Sequence, residues 1–432
     1  MGFIINPMTR PVNVFNEKGS AAETLIADLC SDAFFQDFCL KNPYVGAGKD
    51  RKELCDVLVV LGDTAIIWQI KNVKLGEDGH FKQSDINKAV NQCRGAKRKL
   101  STLGKVELTN VAGKIKTIDT SKVKTVYLIA AIEGGFAEFG SFYEDSDKGN
   151  VHIFFEKFTR YTTKHLNTVN DFIRYLQNKE RFLADGKGLI ISGGEEELLA
   201  LYINNNRTFG NMEGKKADQI FLDTEGSAAE LEEDEGYKTK QAADEHWSKA
   251  WDELVRKKSE GLPREGDTSK PEDRDKFLAK MMSHDRFERR ILGKTYVDAA
   301  LEAAKGPDNE TFVYRRYYPA DGVTYVFAFM GSLDSDKQPR QSMLYLATLA
   351  ARRKFPKNSM VIAVVSERDM VKNPSGCSFD WVLMDIYDKE LEQALTPEIK
   401  DFMEKHGFLK NPKVEAFKAY EYLEDVPDEL KN

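Results

Sequence analysis

The chain is poor in cysteine. Cys30, Cys39, Cys55, Cys93 and Cys377 are its only five in 432 residues, and no two form a CxxC pair. Scattered singly, they fit reduced thiols in cores and exclude both a disulfide framework and a cysteine-built zinc site. Long apolar runs are missing too: nothing approaches the roughly 20 residues that span a bilayer. The opening MGFIINPMTRPVNVF has no apolar core of a secretion signal, and Gly2 is not followed four places on by Ser or Thr, as myristoylation requires. The expectation is a cytoplasmic chain with no membrane partner. Excess positive charge is absent, with 63 Lys and Arg against 70 Asp and Glu and a net charge of -7, which excludes indiscriminate coating of nucleic acid. None of His80, His152, His165, His246, His284 and His406 has a second histidine at metal-ligand spacing. No repeat of fixed period is present.

What is there suffices for two or three cores: 41% of the residues are hydrophobic. GSAAETLIADLCSDAFFQDF reads as a helix, followed by the hairpin KELCDVLVVLGDTAIIWQIKN, a helix over 84–100 and a buried strand over 123–132. VHIFFEKF reads as a further strand, TVNDFIRYLQNKERFL as a helix, and GLIISGGEEELLALYINN as strand, glycine turn and helix. These define an α/β domain over 1–215. An acidic and polar zone over 216–275 reads as a linker containing one amphipathic helix. A second α/β domain over 276–432 follows, with a strand-turn-strand (FVYRRYYPADGVTYVFAFM), a helix and two more strands.

The hairpin carries the chemistry. A two-residue turn at Gly62-Asp63 pairs Leu61 with Thr64, and counting outward sets Asp56 opposite Gln69. Opposed residues share a face and the strand period is two, so Lys71 joins them. The rest of both strands is apolar on both faces, as in strands covered by helices. Three polar groups at one end of a buried hairpin, with Glu23 on the preceding helix, fit two descriptions. One is an internal Asp56–Lys71 ion pair with Glu23 closing a capping box on Ser20. The other is a site for phosphodiester hydrolysis, which needs a divalent cation on carboxylate oxygens, a positioned water and a positive group to activate it. Glu53, an odd number of residues before Asp56, is expected on the opposite face and ranks as a second-choice ligand.

The arrangement of a helical Glu, an Asp at the start of one strand and Gln-x-Lys near the end of the next resembles the PD-(D/E)xK, or restriction-endonuclease-like, nuclease superfamily. It is closest to the Gln-x-Lys variant of prokaryotic restriction and defence nucleases. The matching residues are Glu23, Asp56, Gln69 and Lys71, over roughly residues 15–135. Cys55 stands where the family name has proline. The resemblance implies a restriction-endonuclease-like mixed sheet flanked by helices, and Mg²⁺ (or Mn²⁺) held by Asp56, Glu23 and Gln69. Lys71 then acts on the attacking water, and Gln92 of the following helix gives support. It also implies a metal-dependent endonuclease, with DNA the expected substrate, a homo-oligomeric state, and a role in antiviral defence beside a partner protein of such a system. The alternative on the same fold is a catalytically degenerate subunit that binds nucleic acid or a partner.

Between Lys88 and Lys124 ten Lys or Arg stand against Glu107 and Asp119. Arg94, Lys97 and Arg98 are the expected nucleic-acid contacts, a solvated helix face being the bland description of the same residues. In the second domain, Arg315 and Arg316 among Tyr314, Tyr317 and Tyr318, and the run Arg352-Arg353-Lys354, suit either an anion or helix-end stabilisation.

Overall fold

Leu61 pairs with Thr64 across Gly62 and Asp63, and Gly62 takes the positive φ of +62° that the tight turn demands of a residue without Cβ. From this hairpin the first of two units, Met1–Lys238 and Thr239–Asn432, is built outward. The structure, a computed structural model, describes residues 22–31, 36–46, 51–77, 79–134, 143–144, 147–184, 188–210, 219–260, 271–305, 313–320, 322–330, 337–367 and 379–410.

Helix α1 (22–31) precedes a six-stranded mixed sheet made of β1 (Cys39–Lys41), β2 (Val57–Leu61), β3 (Thr64–Asn72), β4 (Thr125–Glu133), β5 (Tyr143–Glu144) and β6 (Val151–Phe155). Its order is β1-β2-β3-β4-β6-β5. β1, β2 and β3 are antiparallel, whereas β4 runs parallel to both β3 and β6. Parallel strands are covered on both faces, which explains the unbroken apolar runs AIIW and YLIAAI. Helix α2 (Gln83–Leu100) covers one face, setting Ala89, Val90, Cys93 and Ala96 against Leu58, Ile67, Leu128 and Ala130. On the other face Trp68 is fully buried; it stacks on Phe172 at 5.8 Å and meets the edge of Phe154 at 5.7 Å. Helices α3 (Glu156–His165) and α4 (Val169–Phe182) supply that layer. The strand expected through Phe158 ends at Phe155, because Glu156 opens α3.

Within the expected linker over 216–275, the described residues 219–260 and 271–275 are folded. Gln219–Leu222 pairs in parallel with Gly188–Ile191, the strand before α5 (Glu195–Asn204). At the start of α6 (Ser227–Glu233) the Ala228 amide donates to Glu197 Oε2 at 2.8 Å. Helix α7 (Glu235–Glu260) buries Trp251, Leu254 and Val255. Its acidic composition reflects the exposed sides of these helices and hides the few apolar positions that fix them.

In the second unit α8 (Pro271–Met282) and α9 (Arg286–Ala304) precede a four-stranded sheet. The strands β7 (Val313–Ala320), β8 (Val323–Met330), β9 (Met360–Glu367) and β10 (Phe379–Asp385) lie in sequence order, with only β8 and β9 parallel. Helix α10 (Lys337–Lys354) joins β8 to β9 and packs Ala347, Ala350 and Ala351 on Val326, Ala328 and Ala363. α11 (Asp388–Ala394) and α12 (Pro397–Lys405) follow. A Cβ at Gly293 of α9 would lie 2.0 Å from the Trp247 carbonyl oxygen, so the approach of α9 to α7 requires glycine there. Among the described residues no helix is long and apolar enough to cross a membrane.

Candidate functional site

Asp56 sits just before β2, where the ladder with β3 closes: its amide donates to the Trp68 carbonyl at 3.2 Å. It is 7% exposed. Oδ2 accepts two hydrogen bonds, from Gln69 Nε2 and from the Ile70 amide, both at 2.5 Å. Gln69 lies opposite Asp56 in the register and donates to it. The side chains of Gln69 and Lys71 therefore share the α2 face of the sheet with Ile67, while Trp68 and Ile70 take the other.

Glu23, Glu53 and Lys71 all act on Asp56. Burial pushes its carboxyl up to about 6; the Ile70 amide opposes this, Glu23 and Glu53 add to it, and Lys71 pulls it down. Burial and Glu23 likewise raise Glu53, against Lys71. Strand parity does not carry from Asp56 back to Glu53, because Lys52–Glu53 pairs with Tyr44–Val45 in a separate small ribbon. Glu53 is exposed there, and its charge reaches Asp56. Three carboxylates and one ammonium leave a net charge of minus two.

Asn42 is the residue that the sequence reading passed over. Its amide donates to the Asp56 carbonyl at 2.7 Å, and its side-chain Nδ2 donates to Glu23 Oε2 at 3.1 Å. One residue thus ties the β1 end to both acids. Asn42 holds φ at +47°, a left-handed conformation that asparagine adopts more readily than other non-glycine residues, and its Oδ1 is buried with no hydrogen-bond partner among the described residues. The Asn-Pro pair at 42–43 was the available signal, as a turn marker. Lys41 Nζ donates to Thr24 Oγ1 at 2.6 Å and fixes α1 beside the same strand. Ser20, the other half of the expected capping box, lies outside the described residues.

Gln92 is exposed, one position off the buried face of α2, and the α2 residue that feels the Asp56 charge is Cys93. Of the three expected nucleic-acid contacts, Arg94 is committed elsewhere. It pairs with Glu144 at 2.9 Å and donates to the Gly149 carbonyl at 3.2 Å. Lys97 is half-buried against Gly149, while Arg98 is exposed near the end of α2. The stretch beyond α2 forms a hairpin of Lys105–Thr109 with Ile115–Asp119, and Lys114 and Lys116 of this hairpin sit 3.4 and 4.0 Å from the buried Asp37 carboxylate.

Among the described residues no three His, Cys, Asp or Glu side chains form a group spaced to hold a metal ion. The oxygen donors gathered here are the carboxylates of Asp56, Glu23 and Glu53 and the amide oxygens of Gln69 and Asn42. No family model, curated protein or solved structure matches this chain.

Proposed function

We propose that the first unit is a metal-dependent nuclease with a restriction-endonuclease-like fold, acting on DNA. The observation that carries this reading is the buried Asp56 carboxylate, held by Gln69 and the Ile70 amide, with Glu23 tied through Asn42 to the Asp56 backbone and Lys71 close enough to act on its charge. The run of α1, three antiparallel strands, α2 and a parallel strand supports it as well. Magnesium binds through one or two protein carboxylates while keeping several waters. Asp56 and Glu23, with the Gln69 amide oxygen beside them, are therefore a sufficient donor set for Mg²⁺ or Mn²⁺. The net charge of minus two is that of one divalent cation's complement. Bound there, the ion supplies Lewis acidity and a water of lowered pKa. Lys71 holds positive charge where the attacking hydroxide forms, and Gln69 fixes the Asp56 carboxylate in place through its Nε2 hydrogen bond. Asn42 orients Glu23. Assembly as a homo-oligomer and a role in defence belong to the same proposal.

The deciding experiment incubates the full chain with supercoiled plasmid, linear duplex, single-stranded DNA and RNA, in Mg²⁺, Mn²⁺ or EDTA, beside Lys71→Ala. Metal-dependent cleavage that vanishes in a folded Lys71→Ala protein is the expected result. Full activity in that variant refutes the assignment of Lys71, and a folded parent with neither cleavage nor Mn²⁺ binding favours the degenerate binding subunit. Because Asp56 must ionise to hold a cation, cleavage should rise with pH through about 6.

Asn42→Gly separates site from scaffold. Glycine accepts the left-handed backbone, so the melting temperature should hold or rise, whereas loss of the amide to Glu23 should weaken Mn²⁺ binding by about tenfold, the usual effect of removing an outer-shell partner. Calorimetric titration checks this, and unchanged Mn²⁺ affinity would leave Asn42 a turn residue only.

A further inference from the structure

In the second unit, one group of positive charges has no negative partner among the described residues. Arg315 and Tyr317 stand two apart on the edge strand β7 and therefore on one face, the face that packs toward α10. The Arg315 guanidinium lies 3.8 Å from the centre of the Phe408 ring. Lys354 Nζ lies 5.8 Å from the Tyr317 ring, and Phe355 packs 6.0 Å from the same ring. The edge of the sheet and the C-terminal end of α10 thus bring Arg315 and Lys354 to one aromatic floor, with the exposed Arg353 adjoining Lys354. Burial lowers the Lys354 ammonium, and Arg315 and then Arg353 lower it further, with no carboxylate opposing them. Burial lowers Arg315 as well. Among the described residues none of the three is ion-paired; Lys354 Nζ donates to the Lys410 carbonyl, which neutralises none of its charge.

The preceding residue shows what a structural arginine does at this helix end. Arg352 donates to the carbonyls of Ile386 at 2.7 Å and Pro356 at 2.9 Å and pairs with Asp388. The negative end of the α10 dipole accounts for cations at Arg353 and Lys354. It does not account for Arg315, which comes from another element. Beside Arg315 the Tyr317 hydroxyl is buried and interacts with the guanidinium, with no other hydrogen-bond partner among the described residues. Like charges held together in a half-buried place cost free energy that a bound anion offsets. Two guanidinium forks and an ammonium suit the several oxygens and double charge of a phosphate, and a tyrosine ring suits an attached base.

We propose that Arg315, Arg353 and Lys354 form a phosphate-binding site on the second unit, with Tyr317 as its aromatic wall. The site takes the phosphate of a free nucleotide or of a nucleic-acid backbone, and it does not depend on the nuclease reading of the first unit.

The test uses the full chain with two probes: sodium tripolyphosphate by calorimetry and a fluorescent single-stranded DNA of about 20 nucleotides by anisotropy. Lys354→Gln and Arg315→Gln/Lys354→Gln are compared with the parent, and Lys400→Gln, an exposed charge removed from α12, is the control. The expected result is binding by the parent that weakens by about tenfold or more in the double variant, as loss of charge-assisted contacts predicts, and is unchanged in Lys400→Gln. The melting temperature of the double variant should hold or rise, since repulsion within the cluster is relieved. Loss of tripolyphosphate binding alone assigns the site to a free nucleotide; loss of DNA binding assigns it to the backbone. If the double variant does not fold, the same loss in Lys354→Gln decides. No binding of either probe by the folded parent, or binding undiminished in the folded variants, overturns the proposal.

Discussion

Asp56→Asn is expected to melt above the parent chain at pH 8 in EDTA and, at the same time, to lose metal-dependent cleavage. Both effects have one origin. Burial holds the Asp56 carboxyl up at about 6 against an ordinary 3.8, with Glu23 and Glu53 adding to the shift over the opposing Ile70 amide and Lys71. Its folded pKa lies above its unfolded one, so the favourable contribution of the protonated form is fully present below about pH 4 and is lost as the pH rises through 6. At pH 8 the folded chain therefore carries a charge that costs about 2 kcal/mol, at 1.36 kcal/mol per pKa unit and with some allowance for solvent. Asparagine removes that charge and keeps an oxygen able to accept from Gln69 Nε2 and the Ile70 amide. A gain of roughly 5 °C is expected at pH 8 for a unit of this size, fading to nothing at pH 4. Adding Mg²⁺ at about one hundred times its dissociation constant should return about 2.7 kcal/mol to the parent and nothing to the variant. Cleavage should fall by about a thousandfold or more, since a metal-assisted step loses several kcal/mol of barrier lowering. Thermal melts at pH 4 and 8 with and without Mg²⁺ are the measurement. A variant that melts at or below the parent at pH 8, or one that still cleaves, would show that Asp56 is an ordinary structural carboxylate.

The hairpin was readable from the chain because its geometry is local. A two-residue turn fixes the register, and the register alone places Asp56 opposite Gln69 and puts Lys71 on their face. The apolar runs around Trp68 and Ile129 announced strands covered on both sides. What escaped depends on residues distant in sequence or on a single dihedral. Asn42 reaches Glu23 nineteen residues away only because its own backbone turns left-handed. Counting parity from Asp56 to Glu53 has no footing, because the strand pairing breaks at Leu54 and Cys55. Arg94 looked like a surface cation, since nothing in its neighbourhood foretells Glu144 fifty residues on. The zone over 216–275 looked like a linker because average acidity masks the spacing of Ala228, Leu231, Trp251 and Leu254, whose burial ties it down.

Lys179→Met is expected to be the most destabilising of the charge-removing substitutions in the first unit. Lys179 of α4 is fully buried and pairs with Glu195 at the start of α5, whose Oε1 also accepts from the Tyr175 hydroxyl at 3.0 Å. Glu195 Oε2 is buried with no hydrogen-bond partner among the described residues. Burial lowers the Lys179 ammonium and pushes the Glu195 carboxyl up to about 7, so each ion is tolerated only because of the other. Removing the lysine leaves an uncompensated buried carboxylate, at a cost of about 3–5 kcal/mol. Replacing both, as Lys179→Met/Glu195→Gln, removes the charge and keeps an acceptor for Tyr175, and should recover most of the loss. The sign of the pH dependence is fixed. A raised folded pKa on an acid contributes stability below the unfolded value, near 4.5, that is lost as the pH rises toward the folded value. Without Lys179 that folded value moves higher still. The deficit of the single variant should therefore be small at pH 5 and largest at pH 8, whereas the double variant should follow the parent with little further dependence on pH. Urea midpoints of the three proteins at the two pH values decide it. Equal deficits at pH 5 and pH 8 would mean that Lys179 acts through the packing of its alkyl chain rather than through its charge.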